Sequence, residues 1–397
     1  MIALLDRLRW TRSVVPPVWR DPKVIALGWQ ILLLVAVFAP LIWMGVNASR
    51  ALEDRGMTSG IDFLFTDTSF PLGDGFFSFE QGETYLRALL VGVGNTALLS
   101  ILGILSATLL GGALGLARLS RNGLISGLSR IYVLVFRNSP QLVQIVFWYS
   151  FFTLMPNARQ AWNPGLGIFA SNRGVALPVP EDGTAALSVL LALVLGLLLR
   201  IGLGVLSDRH RRRTGERWSW MPSVRVLVLV GPAVLVWFLA GAPTAWSVPL
   251  LKGFNFQGGV ILSPEFLAIY FGLTFYIAAF IAEIVRGGLL SVDGGQIEAA
   301  KAIGLNGADM YRKVIIPQAL RVIIPPLSAQ YVSLLKNSSL AVAVGYPDLF
   351  SVSNTMLTYS GRTIEVLSLM ALVYLFMSLC IGAVSNMANR FVQIRER

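Results

Sequence analysis

Four ionisable side chains sit inside, or at the edge of, stretches otherwise too apolar to hold them: Arg137, Glu283, Arg286 and Lys336. A charge at depth in hydrocarbon is costly, so each one marks either a function or a partner. Lys336, followed by Asn337, Ser338 and Ser339, presents a run of donors suited to a carboxylate. Glu283 offers the complementary acceptor for an ammonium group, and together they describe a path for a zwitterion. A structural ion pair, Arg137–Glu283 or Glu283–Arg286, is the competing reading, because residues three apart share a helix face. Both readings remain open at this level.

Other chemistry is scarce. Cys380 is the single cysteine and His210 the single histidine, so neither a disulfide framework nor a His/Cys metal site is expected. No G-x-x-x-x-G-K-[ST] stretch occurs, hence no P-loop to cradle nucleotide phosphates. No cofactor is expected on this chain.

The elements that must position these groups follow from composition. Of 397 residues, 55% are hydrophobic and 13% charged, with a mean hydropathy of +0.68. A water-soluble domain carries about 25% charged residues, so an ordinary soluble enzyme is excluded. Crossing ~30 Å of hydrocarbon takes about 20 mainly apolar residues. Eight such runs are predicted, at 24–46, 88–116, 131–155, 185–206, 223–242, 264–285, 322–345 and 364–386. The expected fold class is therefore all-α, a polytopic membrane protein of about eight transmembrane helices.

Net charge is +11, which in a soluble chain would point to nucleic acid. Its distribution points elsewhere. With both ends in the cytoplasm, the inner segments carry 21 Lys and Arg and the outer loops carry 6, the remaining five lying in or at the ends of spans. That asymmetry is the positive-inside signature of an N-in/C-in membrane protein. No nucleic-acid partner is expected.

The runs differ in character. Spans four and five are Leu/Val-rich and nearly free of polar groups, as lipid-facing helices are. Spans two, three, six and seven hold Asn95, Thr96, Arg137, Asn138, Gln141, Gln144, Glu283, Lys336 and Asn337, which should face a bundle interior or an aqueous path. The expected organisation is an anchor helix and external loop over 1–85, a core over 86–156, an insertion with two additional spans over 157–263, and a second core part over 264–397. Gly111 and Gly115 form a small-xxx-small step suited to helix packing.

Residues 286–321 are too polar to span and too patterned for a plain linker. Gly294 and Gly295 are expected to break the preceding helix, QIEAAKAI to form a short helix, and Gly304 to end it. A second short helix is predicted from Asn306 to Pro317, making either a knob able to dock on a soluble partner or an amphipathic surface turn, which composition alone does not separate.

Glu298-Ala299-Ala300, Gly304 and Val314-Ile315-Ile316-Pro317 resemble the EAA motif of ABC-importer permease subunits, with Val314 and Ile316 as conservative departures. FRNSPQLVQIVFWY (136–149), AEIVRGGLLSVDGGQIEAA (282–300) and YVSLLKNSSLAVAVGYPDL (331–349) resemble the polar amino-acid, histidine/glutamine-type subgroup. The additional first span, long outer loop and inserted pair of spans resemble the larger permease subunits of general L-amino-acid importers. This resemblance implies a five-helix permease core in the bacterial inner membrane and a translocation path for L-amino acids, for which the polar groups read above, Arg137, Glu283, Lys336, Asn337 and Ser338, are the candidate lining. It also implies coupling through Glu298, Ala299, Ala300, Gly304 and Leu305. Implied partners are a second, similar permease subunit, a cytoplasmic ATPase dimer that binds the ATP and Mg, an external amino-acid-binding protein, and lipid. A stand-alone secondary transporter or channel driven by an ion gradient is the alternative; it would use the same buried charges but would have no use for the knob.

Overall fold

Small residues decide how the two central helices meet. On α2 (Tyr85–Ala117), Gly103, Ala107, Gly111 and Gly115 recur every fourth position and are buried along one stripe. That stripe lies against α7 (Pro264–Leu290), whose facing residues include Ala278, Ile281, Ala282 and Val285. A Cβ on Gly111 or on Gly115 would stand 2.7 Å from the carbonyl oxygen of Ala278 or Ala282 respectively. Helices in lipid associate by van der Waals fit rather than by escaping water, so close backbone approach is the main attraction available. Gly111→Val and Gly115→Val are each expected to destabilise the bundle by about 1–3 kcal/mol through overpacking. Gly112→Val, with nothing within 4 Å, is the control. Thermal unfolding of the purified chain in detergent checks the pair against the control.

The computed structural model describes residues 22–53, 60–216 and 220–392. It divides into two compact units, residues 1–63 and 64–397. Within its described part, the first holds α1 (Pro22–Glu53), an apolar helix of 32 residues with Pro40 inside it. The second unit holds the bundle.

Around α2 and α7 stand α3 (Gly123–Asn138), α4 (Gln141–Thr153), α10 (Ile316–Asn337), α11 (Leu349–Ser360) and α12 (Thr363–Val392). The core is aliphatic where α2, α7 and α10 meet (Leu99, Leu273, Ile277, Ile281, Leu334). Where α4 meets α7 it is aromatic, with Trp148 in ring contact with Phe271 and Phe275. α5 (Gly183–Thr214) and α6 (Met221–Leu239) form a separate hairpin, and a Cβ on Gly196 would fall 2.5 Å from the Leu229 carbonyl.

Among the described residues, five helical stretches are long and apolar enough to span a membrane: Val24–Asn47, Tyr85–Ala117, Gly183–Gly204, Pro264–Leu290 and Thr363–Arg390, with Ser223–Leu239 a shorter apolar helix. Two of the predicted runs are broken. The run at 131–155 divides into α3 and α4 at Ser139–Pro140, because proline supplies no N–H and constrains the residue before it. Gln144 repairs the break from within, its amide donating to the Phe136 carbonyl (2.9 Å) and to Ser139 Oγ (2.7 Å). The run at 322–345 is helical only to Asn337 and tightens into a 3-10 turn, Ser338–Val344, closed by left-handed Gly345.

The all-α expectation holds for the bundle and fails for two connecting segments. β1 (Trp162–Gly165), β2 (Ile168–Ser171), β3 (Gly174–Leu177) and β8 (Val260–Leu262) form a four-stranded antiparallel sheet. β4 (Val179–Pro180) pairs with β5 (Trp246–Ser247), closing the base of the α5–α6 hairpin, and β6 (Leu250–Lys252) pairs with β7 (Asn255–Gln257). Alternation in these strands is too short to register, which hid them behind their Gly and Pro content.

Candidate functional site

Beyond the end of α7 the chain builds a small, fully capped knob. α8 (Gly294–Ala302) starts at Asp293, whose carboxylate accepts from the Gly295 N–H (2.6 Å). Gly294 and Gly295 thus lie in the first turn of α8 rather than breaking α7, which ends at Leu290. α8 closes by a double reverse bond: the Gly304 N–H donates to the Lys301 carbonyl (2.9 Å) and the Leu305 N–H to the Ala300 carbonyl (3.1 Å). This is the Schellman pattern, and it requires a left-handed residue, here Gly304 at φ +76°.

The next helix, α9 (Gly307–Met310), is capped by Asn306, whose side chain accepts from the Asp309 N–H (2.8 Å). The second short helix was expected to reach Pro317. Instead α9 ends at Met310, a π turn spans Tyr311–Ile315, and Pro317 sits in the first turn of α10. The wider ladder of the π turn ends just before it, the Ile316 N–H donating to the Tyr311 carbonyl, and Pro317 has no N–H to extend that ladder. Val292, Ile315, Ala319 and Ile323 bury a small core against Ile284, Leu289, Ile297 and Met310, joining the knob to the ends of α7 and α10.

The coupling residues divide by exposure. Glu298 and Ala299 face outward, Gly304 is open and Leu305 half-buried, whereas Ala300 is buried within the chain's own fold. Ile303, which was not singled out in the sequence, is 76% exposed beside them. Nothing in the sequence pattern marks it, because its exposure is set where the Schellman turn reverses the chain.

The charged residues gather at the base of this knob. Glu283 bonds Arg118, at the C-cap of α2, and Arg286, one turn along α7 with Nε at 3.2 Å. Arg137 of α3 approaches Glu283 at 4.0 Å, and its guanidinium lies 5.1 Å from the centre of the Phe280 ring. Burial first, then the guanidinium groups of Arg286, Arg130 and Arg137, lowers the pKa of Arg118. One carboxylate therefore ties together three helices. Arg118 had been placed in the inner loop by its position after the apolar run, and no spacing rule links it to Glu283.

Lys336 stands apart. Gly288 meets Ile323 where α7 and α10 cross. From that crossing, Lys336 is about 12 Å further along the bundle than Glu283, at 1.5 Å per residue. It is exposed, among the described residues no ion pair reaches it, and it borders an open hollow with Pro325, Ser328, Ala329, Val332 and Ser333. Asn337 turns away to donate to Gln141 Oε1 (2.7 Å), linking the two broken helices, and Ser338 is buried. The five residues expected to line a path thus fall into an inner group, Arg137 and Glu283, and an outer group, Lys336, Asn337 and Ser338.

A bundle of long apolar helices with a capped knob after α7 defines a multi-pass membrane component. The chain belongs to the family described as binding-protein-dependent transport system inner membrane components, whose model matches residues 192–397. It is 43% identical to the putative amino-acid ABC transporter permease protein YhdX of Escherichia coli K12, over 95% of this chain and 96% of that one. It is 39% identical to the general L-amino acid transport system permease protein AapQ of Rhizobium johnstonii (95% and 94%). With the glutamate/glutamine/aspartate/asparagine transport system permease protein BztB of Rhodobacter capsulatus it shares 35% identity (95% and 96%). The protein is a multi-pass transport component of the inner membrane.

Proposed function

We propose that this chain is one permease subunit of an ATP-driven importer of L-amino acids, with eight spans, both ends in the cytoplasm, and a second, similar permease beside it. ATP and Mg are bound by a separate cytoplasmic ATPase dimer, and an external binding protein delivers the substrate. The permease core comprises 86–156 and 264–397, and the 157–263 insertion and the first helix are additions to it. The observation that carries this reading is the knob: a capped lever with Glu298, Ala299 and Ile303 outward, in a chain belonging to this family. The charge asymmetry supports the orientation, and relatives named for amino-acid transport support the substrate class.

In mechanism, closure of the ATPase pair moves α8, and the buried core at Val292, Ile315 and Ile323 transmits that motion to α7 and α10 as a rigid body. Ala300 and Leu305 hold the knob together, whereas Glu298, Ala299 and Ile303 contact the ATPase. In the outer group, Lys336 receives the substrate carboxylate. Arg137 and Glu283 act as a structural tie.

The test is reconstitution of this chain with its permease partner, ATPase and binding protein in liposomes. Uptake is expected to require internal ATP and the binding protein. Amino-acid uptake driven by an ion gradient, in vesicles holding this chain only, would overturn the reading. Ile303→Asp is expected to reduce ATPase recovery in co-purification at least fivefold, with the membrane level of this chain unchanged.

A further inference from the structure

At the other end of α2 a loop is fastened into the bundle. Asn95 is fully buried, about 15 Å along the axis from the start of α2 at 1.5 Å per residue. Its Oδ1 accepts from the N–H groups of both Phe76 and Phe77 (3.2 Å each), and its Nδ2 donates to the Pro347 carbonyl (2.9 Å). The adjacent Thr96 hydroxyl accepts from the Leu349 N–H (2.9 Å). Two buried side chains on one helix turn thus hold two irregular segments, 73–79 and 345–349, neither of which has a helical ladder of its own there.

The contact is too close for ordinary side chains. A Cβ on Gly75 would stand 2.5 Å from Asn95 Nδ2 and 2.9 Å from Pro347, and one on Gly73 would stand 3.0 Å from the Gly345 carbonyl. The Phe77 ring would lie 2.8 Å from a Cβ on Gly94. Behind the segment, buried Phe70 packs on Phe79, Tyr85 and Tyr359. Ahead of it, the rings of Phe76 and Phe77 meet edge to face at 5.5 Å and remain nearly half exposed.

Unpaired backbone N–H groups within a bundle are tolerated only where protein satisfies them. Two such groups resting on one amide oxygen make a fastening that a single side chain can release. Pro347 lies three residues beyond the 3-10 turn that ends the α10 segment, after Gly345 and Tyr346. Motion carried up α10 therefore reaches the loop through Asn95. We propose that Gly73–Phe79 is an external strap, and that Asn95 is a positioning residue fastening it to Pro347 so that the strap and the outer end of α10 open together. This rests on the importer reading, which places the strap on the binding-protein side.

The experiment uses the complete transporter in nanodiscs, comparing wild type with Asn95→Leu. Amide hydrogen exchange at Phe76 and Phe77 is expected to accelerate at least tenfold in the variant. ATP hydrolysis without binding protein is expected to rise at least threefold, and uptake per ATP in liposomes to fall. Should Asn95→Leu not assemble, Gly75→Ala displaces the strap from outside the bundle and is expected to give the same three changes. Unchanged exchange would show that Asn95 does not fasten the strap. Accelerated exchange with wild-type ATPase stimulation and uptake per ATP would remove the positioning role. If wild type itself shows no stimulation by the binding protein, the importer reading fails instead.

Discussion

Glu298→Lys and Gly304→Val are expected to lower ATP-driven uptake at least tenfold while leaving the chain inserted and at normal abundance. The two act by different physics. Glu298 is exposed, and among the described residues no ion pair holds it, so reversing its charge leaves the fold of α8 intact and alters only what docks there. Gly304 has open space around it but sits at φ +76°, so the penalty for a side chain is conformational, about 1–2 kcal/mol for an ordinary residue. Valine adds β-branching, and the Gly304–Lys301 and Leu305–Ala300 bonds that close α8 are lost with the turn. Gly304→Asn, which tolerates the left-handed region, is expected to restore most of the uptake. Uptake and co-purified ATPase, measured at matched membrane levels, separate the two mechanisms. Glu298→Lys should lose ATPase from the complex, whereas Gly304→Val should retain it and turn ATP over without transport. Unchanged uptake in both would mean the knob does not couple.

The second large effect is expected at Glu283. Removing it leaves Arg118, Arg137 and Arg286 facing one another at the meeting of three helices. Loss of the shared partner from a half-buried ion cluster destabilises by about 1–2 kcal/mol, less than for a fully buried pair because water screens the remaining charges in part. Glu283→Ala is therefore expected to lower the melting temperature and the folded yield in detergent. Arg118→Met in the same background should recover part of both, since it removes one of the orphaned charges. Lys336→Met is expected to behave in the opposite way, with stability at the wild-type level and a raised KM for amino-acid uptake. If Glu283→Ala melts normally and raises KM, the inner group belongs to the substrate path and the structural role assigned to it fails.

The class of protein, the apolar runs and the capped helix after α7 are legible in consecutive residues, because each depends on properties that are local in the chain. Hydropathy sums over 20 neighbours, lysines and arginines count loop by loop, and a capped helix closed by glycine is written within a dozen consecutive residues. α8 and its turn at Gly304 were legible for that reason. Where consecutive residues left two outcomes, reading failed: Pro317 opens α10 rather than closing α9.

Which polar groups meet depends on helices far apart in the chain. Arg118 and Glu283 are 165 residues apart, Asn95 and Pro347 252, and Asn337 and Gln141 196. The first two sit where glycines let α2 approach its neighbours closely, Gly111 and Gly115 against α7 and Gly92 against α11. A buried polar group must find a partner or be excluded. The sequence states that the need exists, and the packing of distant helices determines what meets it.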